Sequence, residues 1–257
     1  MPRHARLKSD NGLYHIILRG INRQRIFEEE LDKEKFLLVL HKYKEISGYQ
    51  IYAYCLMSNH VHLLLKVGKE TLEQIMRRIC GSYVYWYNHK YDRIGNLFQD
   101  RFKSEPVEDE AYFLTALRYI HYNPFKAGLV KNLEFYRWSS YQFYSRFQND
   151  TLGLLETDLV MKMFDNDPKK ALKSFKEYHQ KENDDTCLEI EENRRLNDYK
   201  ATEIIKSLFK VNSGRELQKF DLQRRDGCLR RIKNDYHLSN RQIERITGIS
   251  RKIIDKI

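Results

Sequence analysis

Two β-rich runs, "YQIYAYCLM" from Tyr49 and "HVHLLLKV" from His60, are separated only by Ser58 and Asn59. So short a connection between runs of aromatic and aliphatic residues predicts a tight hairpin, with the two runs paired antiparallel. Whatever the rest of the chain does must be built around that ribbon. Upstream, "LYHIILRG" alternates and stops at Gly20, which predicts a further strand. The intervening "DKEKFLLVLHKYKEISG" has apolar residues at helical spacing and ends at Gly48, a left-handed stop signal.

After the hairpin, "TLEQIMRRICGSYVYWYNHKY" reads as a long helix whose start is a capping box of Thr71 with Gln74. "DRIGNLFQDRFKSEPVED" reads as a charged loop. "EAYFLTALRYIHYNP" reads as a helix ending near Asn123, because a proline disfavours α geometry in the residue before it. The order strand, helix, strand, strand, helix, helix predicts an α+β fold. Its simplest form is a ferredoxin-like antiparallel sheet with helices on one face.

Composition changes along the 257 residues. Residues 1–145 form the mixed α/β part. Residues 146–198 are polar and then acidic, with six acids and no base between Glu182 and Glu192, and read as a helical and acidic linker region. From Val211 to Ile257 there are 12 Lys and Arg against 6 Asp and Glu. Residues 199–257 therefore read as a separate all-α, DNA-binding domain. Its end, "LSNRQIERITGISRKIIDKI", has the grammar of a helix-turn-helix. Ser239 with Gln242 suits a capping box, Gly248 suits the turn, and Ser250 caps a second helix carrying Arg251, Lys252 and Lys256. Arg241 lies on the first of the two helices.

A formal charge of +10 and 13% aromatic residues suit a polyanionic partner. No apolar run is long enough to cross a membrane. The N-terminal residues lack a signal-peptide pattern, so a cytoplasmic, nucleoid-associated place is expected. Cys55, Cys80, Cys187 and Cys228 are far apart and form no C-x-x-C pair, which argues against a zinc ribbon or a disulfide framework.

The chemistry begins with His60 and His62. Two residues apart on a strand, they share a face about 6.6 Å from each other and can converge on one divalent ion. On the helix that follows the charged loop, Phe113, Ala116, Leu117 and Ile120 form the core stripe. Tyr112, Tyr119 and Asn123 fall along one edge of it, and His121 falls on the opposite flank. Tyr119 and Asn123 are four apart, so they meet one turn from each other. A tyrosine hydroxyl can attack a phosphodiester, and a carboxamide oxygen on the same helix can join two imidazoles around an ion. Spacing leaves Tyr112 open as the competing nucleophile.

The stretches "YHIILRGINRQRIFEEELDKEKFL", "YCLMSNHVHLLL", "NLFQDRFKSEPVEDEAYFLTALRYIHYNPFKAGLV" and "WSSY" together resemble the REP-associated tyrosine transposases, a branch of the single-tyrosine HUH transposases. The resemblance covers roughly residues 5 to 145. It implies His60 and His62 as metal ligands and Tyr119 as nucleophile, with Asn123 where related transposases carry a glutamine ligand. It further implies magnesium or manganese, single-stranded DNA bearing a hairpin, and a 5′-phosphotyrosine intermediate with a free 3′-hydroxyl. Arg19, Asn22, Arg101 and Lys103 match basic and polar neighbourhoods of the family and are expected to contact hairpin phosphates.

The C-terminal part resembles the Trp-repressor and replication-initiator class, which implies duplex DNA held through Arg241, Arg251 and Lys252. A monomer and a homodimer are both compatible with the resemblance. Two other readings are weighed beside strand transfer. One is a DNA-binding factor that keeps the fold without cutting. The other is a hairpin nuclease of the replication-initiator or relaxase type.

Overall fold

The computed structural model describes residues 6–99, 101–146, 150–181, 183, 185–188, 198–236 and 238–257. The chain divides into two compact units, residues 1–190 and 191–257.

The first unit is built on a four-stranded antiparallel sheet. Its strands are β1 (Leu13–Arg19), β2 (Gln50–Leu56), β3 (His60–Lys66) and β4 (Lys103–Pro106), in spatial order β2-β3-β1-β4. The predicted hairpin is β2–β3, turned at Ser58 and Asn59. Strand β4 was read as part of a charged loop. Its four residues, Lys-Ser-Glu-Pro, offer no alternation to detect, and it exists because β1 supplies its hydrogen bonds, with His15 opposite Glu105 and Ile17 opposite Lys103.

The sheet is covered on both faces, not on one as the sequence suggested. Helices α1 (Glu30–Ser47) and α2 (Leu72–Lys90) cover the face carrying Ile16, Leu18, Val61, Leu63 and Leu65. Helix α3 (Glu110–Lys126) covers the other, against Ala53, Cys55 and Leu64. Strands buried on both sides read as nearly continuous apolar runs, as "HLLLK" does after Val61. The two expected helix signals hold. Thr71 and Gln74 form a capping box, and Gly48 takes the left-handed conformation at φ 67°.

Helix α3 does not stop at Asn123 but runs through Pro124 to Lys126. A proline removes the N–H that would bond the carbonyl of residue 120. The Asn123 carboxamide compensates from the helix surface, its Nδ2 donating to the Tyr119 carbonyl at 2.9 Å and reaching 3.5 Å from that of Ile120.

Residues 157–180, expected as the helical part of a linker region, form α5 (Thr157–Phe164) and α6 (Pro168–Gln180). They follow the short α4 (Tyr141–Ser145) and pack Val160 and Phe175 into the core beneath α3. A buried chain of hydrogen bonds ties these elements together. His179 Nδ1 lies 2.9 Å from the Phe175 carbonyl and His121 Nδ1 lies 3.0 Å from His179 Nε2. His121 Nε2 lies 2.8 Å from Ser140 Oγ, and Ser140 in turn accepts from the Tyr54 N–H on β2 at 2.9 Å. Helix α3 is thereby clamped between the sheet and α6. Most of the acidic run from Glu182 to Glu192 lies outside the described residues. Of the described part, Asp185 pairs with Arg118 of α3 at 2.6 and 2.8 Å.

Among its described residues the second unit is helical, without strands. Helices α7 (Asp198–Phe209), α8 (Leu222–Asn234), α9 (Asn240–Thr247) and α10 (Arg251–Ile254) surround Ala201, Ile205, Leu217, Leu229, Ile232, Ile243 and Ile254. The predicted turn between α9 and α10 is present, with Gly248 at φ 72° and Ser239 accepting the Gln242 N–H. The reciprocal half of the expected capping box is not made. Gln242 turns its carboxamide to Asp198 at 3.1 Å, which also receives Arg245. The four cysteines are free thiols. No helix among the described residues is long and apolar enough to cross a membrane.

Candidate active site

The sheet face under α3 carries, in register, His60, His62 and Leu64 on β3 beside Arg19, Ile17 and His15 on β1. Strand geometry puts these side chains on one side because residues two apart point the same way. The rings of His60 and His62 lie 5.1 Å apart, nearly perpendicular at 79°. Tyr119 descends from α3 onto this row, its ring centroid 5.9 Å from those of both His62 and His15. One turn on, the Asn123 side chain lies beside His60. Because Asn123 Nδ2 is held by the Tyr119 carbonyl, its oxygen faces away from the helix axis.

The two imidazoles are held neutral. Burial pushes the His60 pKa down to about 4, the Arg19 charge adds to the effect, and the neighbouring Asn123 carboxamide opposes it. His62, with 4% of its surface exposed, is driven well below the ordinary histidine range by burial and then by His15 and His60. Neutral imidazole is the ligating form. His60 Nδ1 is engaged by Asn59 Oδ1 at 2.7 Å and His62 Nδ1 by His15 Nε2 at 3.0 Å, so Nε2 is the nitrogen left open for a ligand on both rings. Among the described residues no three His, Cys, Asp or Glu side chains converge on one point. The available donors are thus two imidazoles and a carboxamide oxygen. That set fits a divalent ion that completes its coordination with water and phosphate oxygens.

Tyr112, the competing nucleophile, is placed differently. It lies beside Glu105, and burial followed by that carboxylate raises its pKa above the ordinary tyrosine value. The structure brings Tyr119 to the histidine row and leaves Tyr112 at its far edge. His121 points into the α6 clamp, as its flank predicted.

Four residues of this neighbourhood escaped the sequence reading. His15, fully buried, joins Glu105 to His62, with Nδ1 2.8 Å from Glu105 Oε1. Asn59 sets the His60 ring. Lys126 places its ammonium 4.5 Å from the Tyr119 ring centroid, supplying positive charge beside the phenol. Only the alternation of "LYHIILR" could have shown His15 on the same face. Glu105 needed the β1–β4 register.

The expected DNA contacts divide between the units. Arg19 is paired across the strands with His60, and Lys103 is exposed on the adjoining edge strand. Arg101 is exposed just before it, and Asn22 is exposed in a left-handed conformation at φ 51°. In the second unit Arg241, Arg251 and Lys252 are exposed, and Arg251 also reaches Glu244 at 3.3 Å.

Residues 8–123 match the family model described as "Transposase IS200 like". Over those residues, a little under half of its length, the chain is similar to that family. Two solved structures are similar at lower identity. A REP-associated tyrosine transposase bound to a REP hairpin is 19% identical, covering 58% of this chain and 88% of its own, with a TM-score of 0.48. A transposase candidate from Deinococcus radiodurans R1 is 17% identical, covering 43% and 89%, with a TM-score of 0.34. No curated protein matches the chain.

Proposed function

We propose that this protein cleaves and rejoins single-stranded DNA beside hairpins, as a transposase of the REP-associated tyrosine branch, with Tyr119 as nucleophile. The observation that carries this reading is the seating of Tyr119 against His62, with Asn123 one turn away at His60.

In this reading the Tyr119 oxygen attacks the scissile phosphorus while the bond to the 3′-oxygen breaks. The phenol gives up its proton, the departing 3′-oxygen gains one, and a 5′-phosphotyrosine and a free 3′-hydroxyl result. Attack of a 3′-hydroxyl on the phosphotyrosine reverses the step and releases Tyr119, so a strand can be rejoined without an external energy source. Lys126 lowers the cost of negative charge on the phenol oxygen. His60, His62 and Asn123 would hold the divalent ion, magnesium or manganese, which when bound polarises the phosphate and steadies the leaving oxygen. Arg19, Arg101, Lys103 and Asn22 would fix the phosphates of the folded strand. The second unit would hold duplex DNA through Arg241, Arg251 and Lys252.

The test uses labelled single strands from the DNA flanking the coding region, incubated with the full chain and manganese and resolved on a denaturing gel. A covalent adduct is expected with the natural chain, and none with Tyr119→Phe, which should still bind the hairpin. An adduct that persists in Tyr119→Phe refutes the assignment and moves the role to Tyr112.

A further inference from the structure

The buried row Glu105–His15–His62 has a direction, and its fixed end sets it. Glu105 Oε1 receives the main-chain N–H of Leu188 at 2.8 Å, and the carboxylate is held below the ordinary glutamate range by its donors. A carboxylate held by donors is an acceptor only, so His15 Nδ1, 2.8 Å from Oε1, must carry a proton. A neutral imidazole has one N–H, so His15 Nε2 carries a lone pair. His62 Nδ1, 3.0 Å away, then donates to it. The outcome is a single tautomer of His62, protonated at Nδ1, with its lone pair at Nε2.

The clamp beneath α3 uses a similar device for a different end. There the row His179–His121 starts from the Phe175 carbonyl and finishes at the Ser140 hydroxyl, closed inside the core. The Glu105 row starts from an ionised group on the edge strand and finishes at the histidine against which Tyr119 is seated.

We propose that Glu105 and His15 are positioning residues for His62: together they fix its tautomer and ring orientation so that Nε2 is presented as a metal ligand. The proposal rests on the reading of His62 as a ligand, but part of its test needs no metal. Outer partners of this kind change metal affinity by about 10- to 100-fold when removed.

Long-range 1H–15N spectra of the metal-free, full-length chain, labelled with 15N, report which ring nitrogen of each histidine is protonated. Both His15 and His62 are expected as Nδ1–H tautomers. Glu105→Ala should turn the His62 signal into a tautomer mixture. Glu105→Gln keeps an oxygen opposite His15 and should restore the single form, which separates positioning from mere folding. In parallel, Mn2+ titration followed by electron paramagnetic resonance should show binding weakened about 10- to 100-fold in Glu105→Ala and His15→Ala, and nearly natural in Glu105→Gln.

An Nε2–H tautomer at His62 in the natural chain overturns the proposal. So does unchanged Mn2+ affinity in both alanine variants while His62→Ala abolishes binding, a result that leaves His62 as a ligand. If His62→Ala binds Mn2+ as tightly as the natural chain, the ligand reading itself fails and the proposal falls with it.

Discussion

Acidifying the protein below about pH 6.5 should loosen the tyrosine helix. His121 and His179, 0% and 1% exposed, hold α3 against α6 and Ser140. Burial pushes the His179 pKa down to about 3 and drives His121 well below its ordinary value. Both are therefore neutral in the folded state, whereas in the unfolded chain each gains a proton near pH 6.5. The unfolded state binds more protons below that point, so the stability contribution is complete above pH 6.5 and is lost progressively as pH falls toward 3. Each depressed histidine costs about 1.4 kcal/mol per pH unit in that window, so moving from pH 7.5 to 5.5 costs the pair about 2.7 kcal/mol.

Both tryptophans, Trp86 and Trp138, belong to the first unit, so their fluorescence reports its unfolding alone. With a urea dependence of about 2 kcal/mol per M, the pair should lower the midpoint by about 1.3 M over those two pH units. Other histidines add to the total, and a variant isolates the pair. His179→Gln cannot titrate, and its midpoint should shift over the same pH range by at least about 0.6 M less than that of the natural chain. An identical pH shift in the variant would refute the argument, because it would mean that the clamp is not a neutral pair.

Two further outcomes test the placement of the site and the division of labour. Mixing the Tyr119→Phe chain with a His60→Ala chain should not restore adduct formation, since Tyr119 meets His62, the neighbour of His60, within one chain; restored adduct on a denaturing gel would instead show a tyrosine exchanged between subunits. Reversing charge in the second unit with Arg241→Glu and Lys252→Glu should weaken binding to duplex DNA, measured by fluorescence anisotropy, by about tenfold or more while hairpin cleavage is preserved. Equal losses in both assays would count against a separate duplex-binding role.

The parts of this site that the sequence displays are those whose geometry is set along the chain. His60 and His62 share a face because strands repeat every two residues, and Tyr119 meets Asn123 because helices repeat every 3.6. The hairpin at Ser58 and Asn59 and the left-handed turns at Gly48 and Gly248 are likewise local, and all three are where the spacing put them. What was not legible depends on neighbours distant in sequence. Strand β4 has no pattern of its own, the helices on the second face were hidden by apolar runs that serve both sides, and Gln242 left its cap for Asp198, 44 residues away. Asn123 shows how such neighbours change a local rule. The residue expected to end α3 helps to carry it past Pro124, since one carboxamide nitrogen serves the carbonyls of the turn before it.

The same limit bears on the chemistry. An H-x-H pair states which face two imidazoles share but not which nitrogen each presents, and a metal ligand needs the second fact as much as the first. Here that choice is made across the strands rather than along them. Asn59 holds Nδ1 of His60 from the hairpin turn, and Glu105 holds Nδ1 of His62 through His15 from the edge strand. The short β4, with no apolar residue except its closing proline, would add little as a strand to a sheet already closed by three longer ones. Its place is better explained by the carboxylate it delivers opposite His15.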